Sequence, residues 1–164
     1  MSTCSCSREK DSIAVIIDTG YVPHRKVHET LKWLKSRYNV VTIVAVGNWT
    51  LDSLQGYEDV VLYHGIRCVH LFETDMVSSQ VIMEVMEITQ SRSHINAFAF
   101  ISSYPYMHNT FCYLRRLNKS IMMIGNANVK ARLNMLYDEF MDINMFPDSE
   151  ARDPVASANK QIVE

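Results

Sequence analysis

Five short apolar runs divide this chain into a regular alternation: IAVIID at 13–18, VVTIVAV at 40–46, IRCVHLF at 66–72, NAFAFIS at 96–102 and SIMMI at 120–124. Each has strand length, and four are dense enough in apolar residues to be buried on both faces, as strands of a parallel sheet are. The intervals between them carry helical spacing. Val27, Leu31 and Leu34 mark one face of 24–37; Val77, Val81, Val85 and Ile88 mark one face of 76–90; Met107, Phe111, Leu114 and Leu117 mark one face of 107–118. A weaker helical segment covers 51–64, with Gly65 placed to end it, and another covers 128–137. A short last strand is expected at 140–144. This order predicts an α/β fold: a three-layer α/β/α sandwich around a mainly parallel sheet of five or six strands, joined by right-handed crossovers.

At 164 residues the chain suits one domain, read as 12–146, with polar tails at 1–11 and 147–164. A net charge of -2 gives no global attraction to nucleic acid or anionic lipid, so any polyanion site has to be a local patch. The longest apolar run falls short of the ~20 residues that span a bilayer, and MSTCSCSREK is not a signal sequence. We therefore expect an intracellular protein with no membrane partner. Four scattered cysteines suit a reducing compartment, with Cys68 in a strand and Cys112 in a helix read as buried thiols. Cys4 and Cys6 lack the further ligands a soft metal requires and read as tail.

In a parallel sheet the residues just beyond the strands' carboxyl ends decide the chemistry. The first run ends on Asp18 and Gly20, whereas the fourth leads into Tyr104 and Tyr106. No G-x-G-x-x-G follows the first run, no G-x-x-x-x-G-K-[ST] occurs, and the nucleophile elbow G-x-S-x-G is missing. Dinucleotide-dependent, nucleotide-hydrolysing and serine-hydrolase readings fall away. Cleavage of phosphodiesters by Mg²⁺ or Mn²⁺ held on strand-end carboxylates remains, and Asp18 stands in the position it would need.

The ordered blocks IAVIIDTGYV, VAVGNWTLDSLQGYEDVVLYHGIRCVHLF, VIMEVMEI, FAFISSYPYM, YLRRLNKSIMMIG and YDEFMDI resemble those of NYN domains, in particular the LabA-like branch of the PIN-like nuclease superfamily. The likeness runs over residues 12–143. It implies an acid after the first strand, retained as Asp18. It also implies an acid in a G-D-W turn, which falls on Asn48, and one in a K-N-x-x-D stretch near Thr74 to Ser78, which falls on Ser78. Two more in an S-S-D-x-D-F turn fall on Tyr104 and Tyr106, behind Ser102 and Ser103. Four of the five expected carboxylates are therefore neutral. A hard divalent cation needs anionic oxygens to offset its dehydration, and a phenol, with a pKa near ~10, does not supply them at neutral pH.

What the resemblance implies is accordingly a catalytically inactive pseudo-nuclease with no cofactor, acting as an adaptor for protein partners in an RNA-processing or RNA-silencing assembly and self-associating. Two alternatives stand beside it. One is RNA binding without cleavage, through Arg25, Lys26, Arg115, Arg116 and Lys119, with Tyr104 and Tyr106 as stacking rings instead of cleft filling. The other is a ribonuclease using Mg²⁺ or Mn²⁺ on Asp18 and Asp75. Residue by residue, Asp18 also has a structural reading as a turn or helix cap, and His108 one as a solvated surface group. Met83, Met86, Met122 and Met123 read as core; Met107, Met135, Met141 and Met145 read as an adaptable contact surface.

Overall fold

The computed structural model describes residues 10–103, 107–133 and 135–149. Strand β1 (Ser12–Asp18) is followed by α1 (His24–Arg37), β2 (Asn39–Gly47), α2 (Tyr57–His64), β3 (Arg67–His70) and α3 (Val77–Ser91). The second half runs β4 (Ala97–Ile101), α4 (His108–Arg116), β5 (Ser120–Gly125), α5 (Ala127–Arg132) and β6 (Glu139–Asp142). The sheet has the order β3-β2-β1-β4-β5-β6, and every neighbouring pair is parallel. The chain winds outward from β1 to β3, then returns across the sheet to β4 on the other side of β1. The reversal of winding opens a crevice beside β1 at the strands' carboxyl ends.

Alternation along β1 sends Ile13, Val15 and Ile17 into one hydrophobic layer and Ala14 and Ile16 into the other. Val27, Leu31 and Leu34 of α1, with Tyr57 and Val60 of α2, close the first layer. Val77, Val81, Val85 and Ile88 of α3, with Phe111 and Leu114 of α4, close the second. The helical faces read from the sequence are thus the buried ones. Gly65 ends α2 in the left-handed conformation, φ 67°, a geometry that costs a residue with a Cβ.

Several local expectations need correction. The segment 51–64 is not one helix: a 3₁₀ turn at Asp52–Leu54 precedes α2. The expected helix at 128–137 stops at Arg132, because the chain must turn back, with Met135 at φ 73°, to bring Glu139 into register with Met122. The last strand starts at Glu139, and Ile143–Met145 forms a 3₁₀ turn instead of continuing it. Leu117 lies past the end of α4 and is exposed; Cys68 on an edge strand and Cys112 on the outer face of α4 are exposed as well. Met107 is buried, in line with its place on the apolar face of 107–118 and against its reading as contact surface, whereas Met83 and Met86, read as core, face solvent. In each case the residue type allowed either placement and the position in the fold chose. Residues 147–149 lie against α1, where Ser149 Oγ donates to Glu29 Oε1 at 2.6 Å. Among the described residues no helix is long and apolar enough to cross a membrane.

Candidate functional site

Asp18 closes β1, and its side chain turns into the crevice, 1% exposed. Its Oδ1 accepts the Gly20 backbone N–H at 3.1 Å. Its Oδ2 accepts the hydroxyl of Ser102, the first residue after β4, also at 3.1 Å. Burial disfavours the ionised carboxylate more strongly than these two donors favour it, and the pKa is pushed up to about 6. The buried phenol of Tyr57 is held protonated by its own desolvation and by the Asp18 charge, and it donates to the Val22 carbonyl.

The loops around Asp18 are fixed by close approach. Thr19 donates both its N–H, at 3.1 Å, and its hydroxyl, at 3.2 Å, to the Val46 carbonyl on β2. A Cβ at Gly47 would lie 1.8 Å from Thr19 Oγ1, and one at Gly125 would lie 2.3 Å from the Ser102 carbonyl oxygen. Glycine at both positions lets the strand ends close around Asp18. In the turn after β2, Asn48 Oδ1 accepts the Thr50 N–H at 3.2 Å and the Thr50 hydroxyl at 2.6 Å, an Asx turn that takes up the amide oxygen. The Trp49 indole N–H is anchored to the Val69 carbonyl at 3.0 Å.

Together these elements frame a cleft of about 370 Å³ whose polar lining includes Asp18, Asn48 and Thr74 and whose apolar wall is Leu54, Leu71 and Val77. Of the positions singled out from the sequence, Asp18 and Asn48 come together there. Asp75 is exposed on the turn before α3, and Asp75 and Ser78 are not part of the cleft lining. Tyr104 and Tyr106 lie outside the described residues.

Among the described residues, Asp18 is the carboxylate of this cleft. No group of three or more His, Cys, Asp or Glu is assembled among them to hold a metal. Asp18 accepts a hydrogen bond on each oxygen.

The five basic candidates divide between the two ends of the sheet, because helices antiparallel to the strands finish at the strands' amino ends. Arg25 and Lys26 begin α1 on the cleft side, whereas Arg115 and Arg116 end α4 on the far side, followed by Lys119. Lys26 Nζ is engaged by the Phe146 carbonyl at 2.7 Å and by Asp148 at 3.2 Å. Arg115 binds Asp138 at 3.1 Å, and Lys119 donates to the Ile95 carbonyl at 2.7 Å. Arg25, Arg116 and His108 are exposed. The structure also holds a pair that no local pattern announces: His28 Nδ1 and His64 Nε2 share a buried hydrogen bond at 2.9 Å between α1 and α2.

The all-parallel doubly wound sheet with its crevice at the end of β1 is consistent with a PIN-like fold. The NYN domain model matches residues 12–144, and the chain belongs to that family, which indicates a PIN-like, nuclease-type module. A solved structure of a protein of unknown function from Vibrio parahaemolyticus shares the fold, with a TM-score of 0.60 over 82% of this chain and 94% of that one, at 13% identity. No curated protein matches the chain.

Proposed function

We propose that this chain is a catalytically silent NYN module of the LabA-like branch, working by contact as an adaptor subunit in an RNA-processing or RNA-silencing assembly. The observation that supports it is the state of Asp18: the one acid retained of the expected set is buried and bonded on both oxygens, tying β1 to the residue after β4. A carboxylate used this way ties β1 to β4 and serves the fold. With Asn48 closing its own turn, Asp18 is left as the one carboxylate among the described residues of the cleft, fewer than the set that gathers metal, water and a phosphodiester. The basic side chains favour the same reading over RNA binding, since Lys26, Arg115 and Lys119 each make contacts that hold elements of the fold together.

The test is RNA turnover with Mn²⁺ by the wild type and by Asp18→Ala. The expected result is a background rate for both. Hydrolysis by the wild type that disappears in Asp18→Ala would show a working metal site and overturn the proposal. Fluorescence anisotropy with single-stranded RNA separates the adaptor from the binding module. Tight, salt-sensitive association weakened by Arg25→Ala and Arg116→Ala would favour the latter.

A further inference from the structure

Helices α1 and α2 cover the same face of the sheet and are joined by a contact that holds only while it is uncharged. His28 of α1 and His64 in the last turn of α2 are both buried, at 6% and 7% exposure, and their facing nitrogens, Nδ1 and Nε2, lie 2.9 Å apart. One of these nitrogens donates and the other accepts, so the bond uses a single proton. The second nitrogen of His64, Nδ1, is buried with no hydrogen-bond partner among the described residues. An added proton is accommodated nowhere in this arrangement. On either ring it makes a buried cation and leaves the His64 Nδ1–H without an acceptor; on both rings it points two N–H groups at each other.

The surroundings offer such a charge nothing. From α1, Lys32 and Lys35 face the pair, and Lys35 Nζ lies 3.5 Å from the His64 carbonyl. Glu29 is the acid among these neighbours, and its Oε1 is already shared between Lys32 at 3.2 Å and Ser149 at 2.6 Å. From α2, the Tyr63 ring stands edge-on to both imidazoles, with centroids 5.0 Å and 4.8 Å away. The pair also sits where α2 is least anchored. Tyr57, which donates to the Val22 carbonyl, and buried Val60 fix the start of the helix, whereas its last turn rests on His64 and finishes at Gly65, φ 67°. The N–H groups of Gly65 and Ile66 both donate to the Val61 carbonyl, at 3.0 and 3.1 Å, so these bonds exist only while that turn is closed. We propose that the His28 and His64 pair is an acid-released latch: it holds the last turn of α2 on α1 at neutral pH and frees that turn, with the rest of the fold in place, when the pair takes up protons. Freeing it uncovers Val61 and Ile66, which pack into the first hydrophobic layer, at the start of the edge strand β3. The latch stands independently of the reading of the cleft.

Amide hydrogen exchange of the full chain, followed by NMR with each rate divided by its intrinsic value at the same pH, tests it. From about pH 7.5 to about pH 5.5, across the ordinary histidine pKa of 6.5, the opening constant at Gly65 and Ile66 is expected to rise about tenfold if opening binds one proton and about a hundredfold if it binds two. The amides of α4 should not follow. His28→Gln with His64→Gln keeps two side chains that can share a hydrogen bond and cannot protonate, and it should lose the rise. Should that variant not fold, the contrast between α2 and α4 in the wild type decides. An unchanged opening constant, a rise shared equally by α4, or a rise that persists in full in the folded double variant overturns the proposal.

Discussion

Asp18 at the end of β1 and Ser102 just after β4 are separated by 84 positions in the chain and joined by a 3.1 Å hydrogen bond across the seam where the winding of the sheet reverses. The bond ties two central strands, and the burial of the carboxyl has measurable consequences.

The raised pKa makes Asp18 a destabilising ionisation. A carboxyl that titrates at about 6 when folded, against 3.8 as its ordinary value, binds more protons in the native state through that interval. Stability from this group is therefore fully present below about pH 4 and is lost as pH rises through 6. Asp18→Asn keeps the shape and the bond from the Gly20 N–H, and retains the Ser102 contact with its direction reversed, the amide N–H donating to Ser102 Oγ. It is expected to be more stable than the wild type by about 2–3 kcal/mol at pH 7, with the difference vanishing near pH 4. Urea unfolding at the two pH values measures it, and equal stabilities at pH 7 would contradict the account.

Ser102→Ala removes one of the two donors to Asp18 and leaves a buried oxygen without its partner. The expected cost is about 1–3 kcal/mol in unfolding free energy at pH 7. The Asp18 titration, followed by carboxyl carbon NMR, should move to still higher pH, because Ser102 lowers the pKa in the native protein. A downward move would show that the hydroxyl does not stabilise the charged form.

Gly47→Ala drives a methyl group onto Thr19 Oγ1, which holds the Val46 carbonyl. We expect a loss of about 1–3 kcal/mol, partly recovered in Gly47→Ala with Thr19→Ala. Full additivity of the two changes in a thermal unfolding cycle would place the strain elsewhere.

The His28 and His64 pair predicts the opposite pH response. Burial is the leading cause of both shifts; it lowers the His28 pKa and takes His64 down to about 3 from 6.5. Neighbouring Lys32 and Lys35 add to the depression, and Glu29 opposes it. A base with a depressed folded pKa contributes stability above its unfolded value and loses it as pH falls from about 6.5 toward 3. The doubly substituted His28→Leu, His64→Leu protein removes both polar partners together. It should be near neutral in stability at pH 7 and less sensitive to acid than the wild type, as read by pH-dependent unfolding. A larger loss at pH 7 than at pH 5 would contradict it.

Much of the architecture was legible because it is periodic. The spacing of Val27, Leu31 and Leu34, and of Val77, Val81, Val85 and Ile88, marks the helix faces that meet the sheet, and the glycine at 65 marks where α2 ends. Asp18 and Asn48 were legible as members of one cleft because parallel strands deliver their carboxyl ends to one side. Residues whose chemistry suits either environment were not legible: Met83 and Met86, which read as core, are exposed on α3.

The amino-acid order by itself determined the alternating strands and helices, the apolar stripe of each and the family, since hydrophobic period and turn chemistry act over a few residues at a time. Tertiary structure alone decided that Asp18 meets Ser102, that His28 meets His64, that Lys26 reaches the Phe146 carbonyl, and that the methionines of α3 face outward. Those outcomes depend on which distant segments the winding of the sheet brings within about 3 Å of one another. Desolvation and hydrogen bonding operate at that range and carry no trace in local sequence.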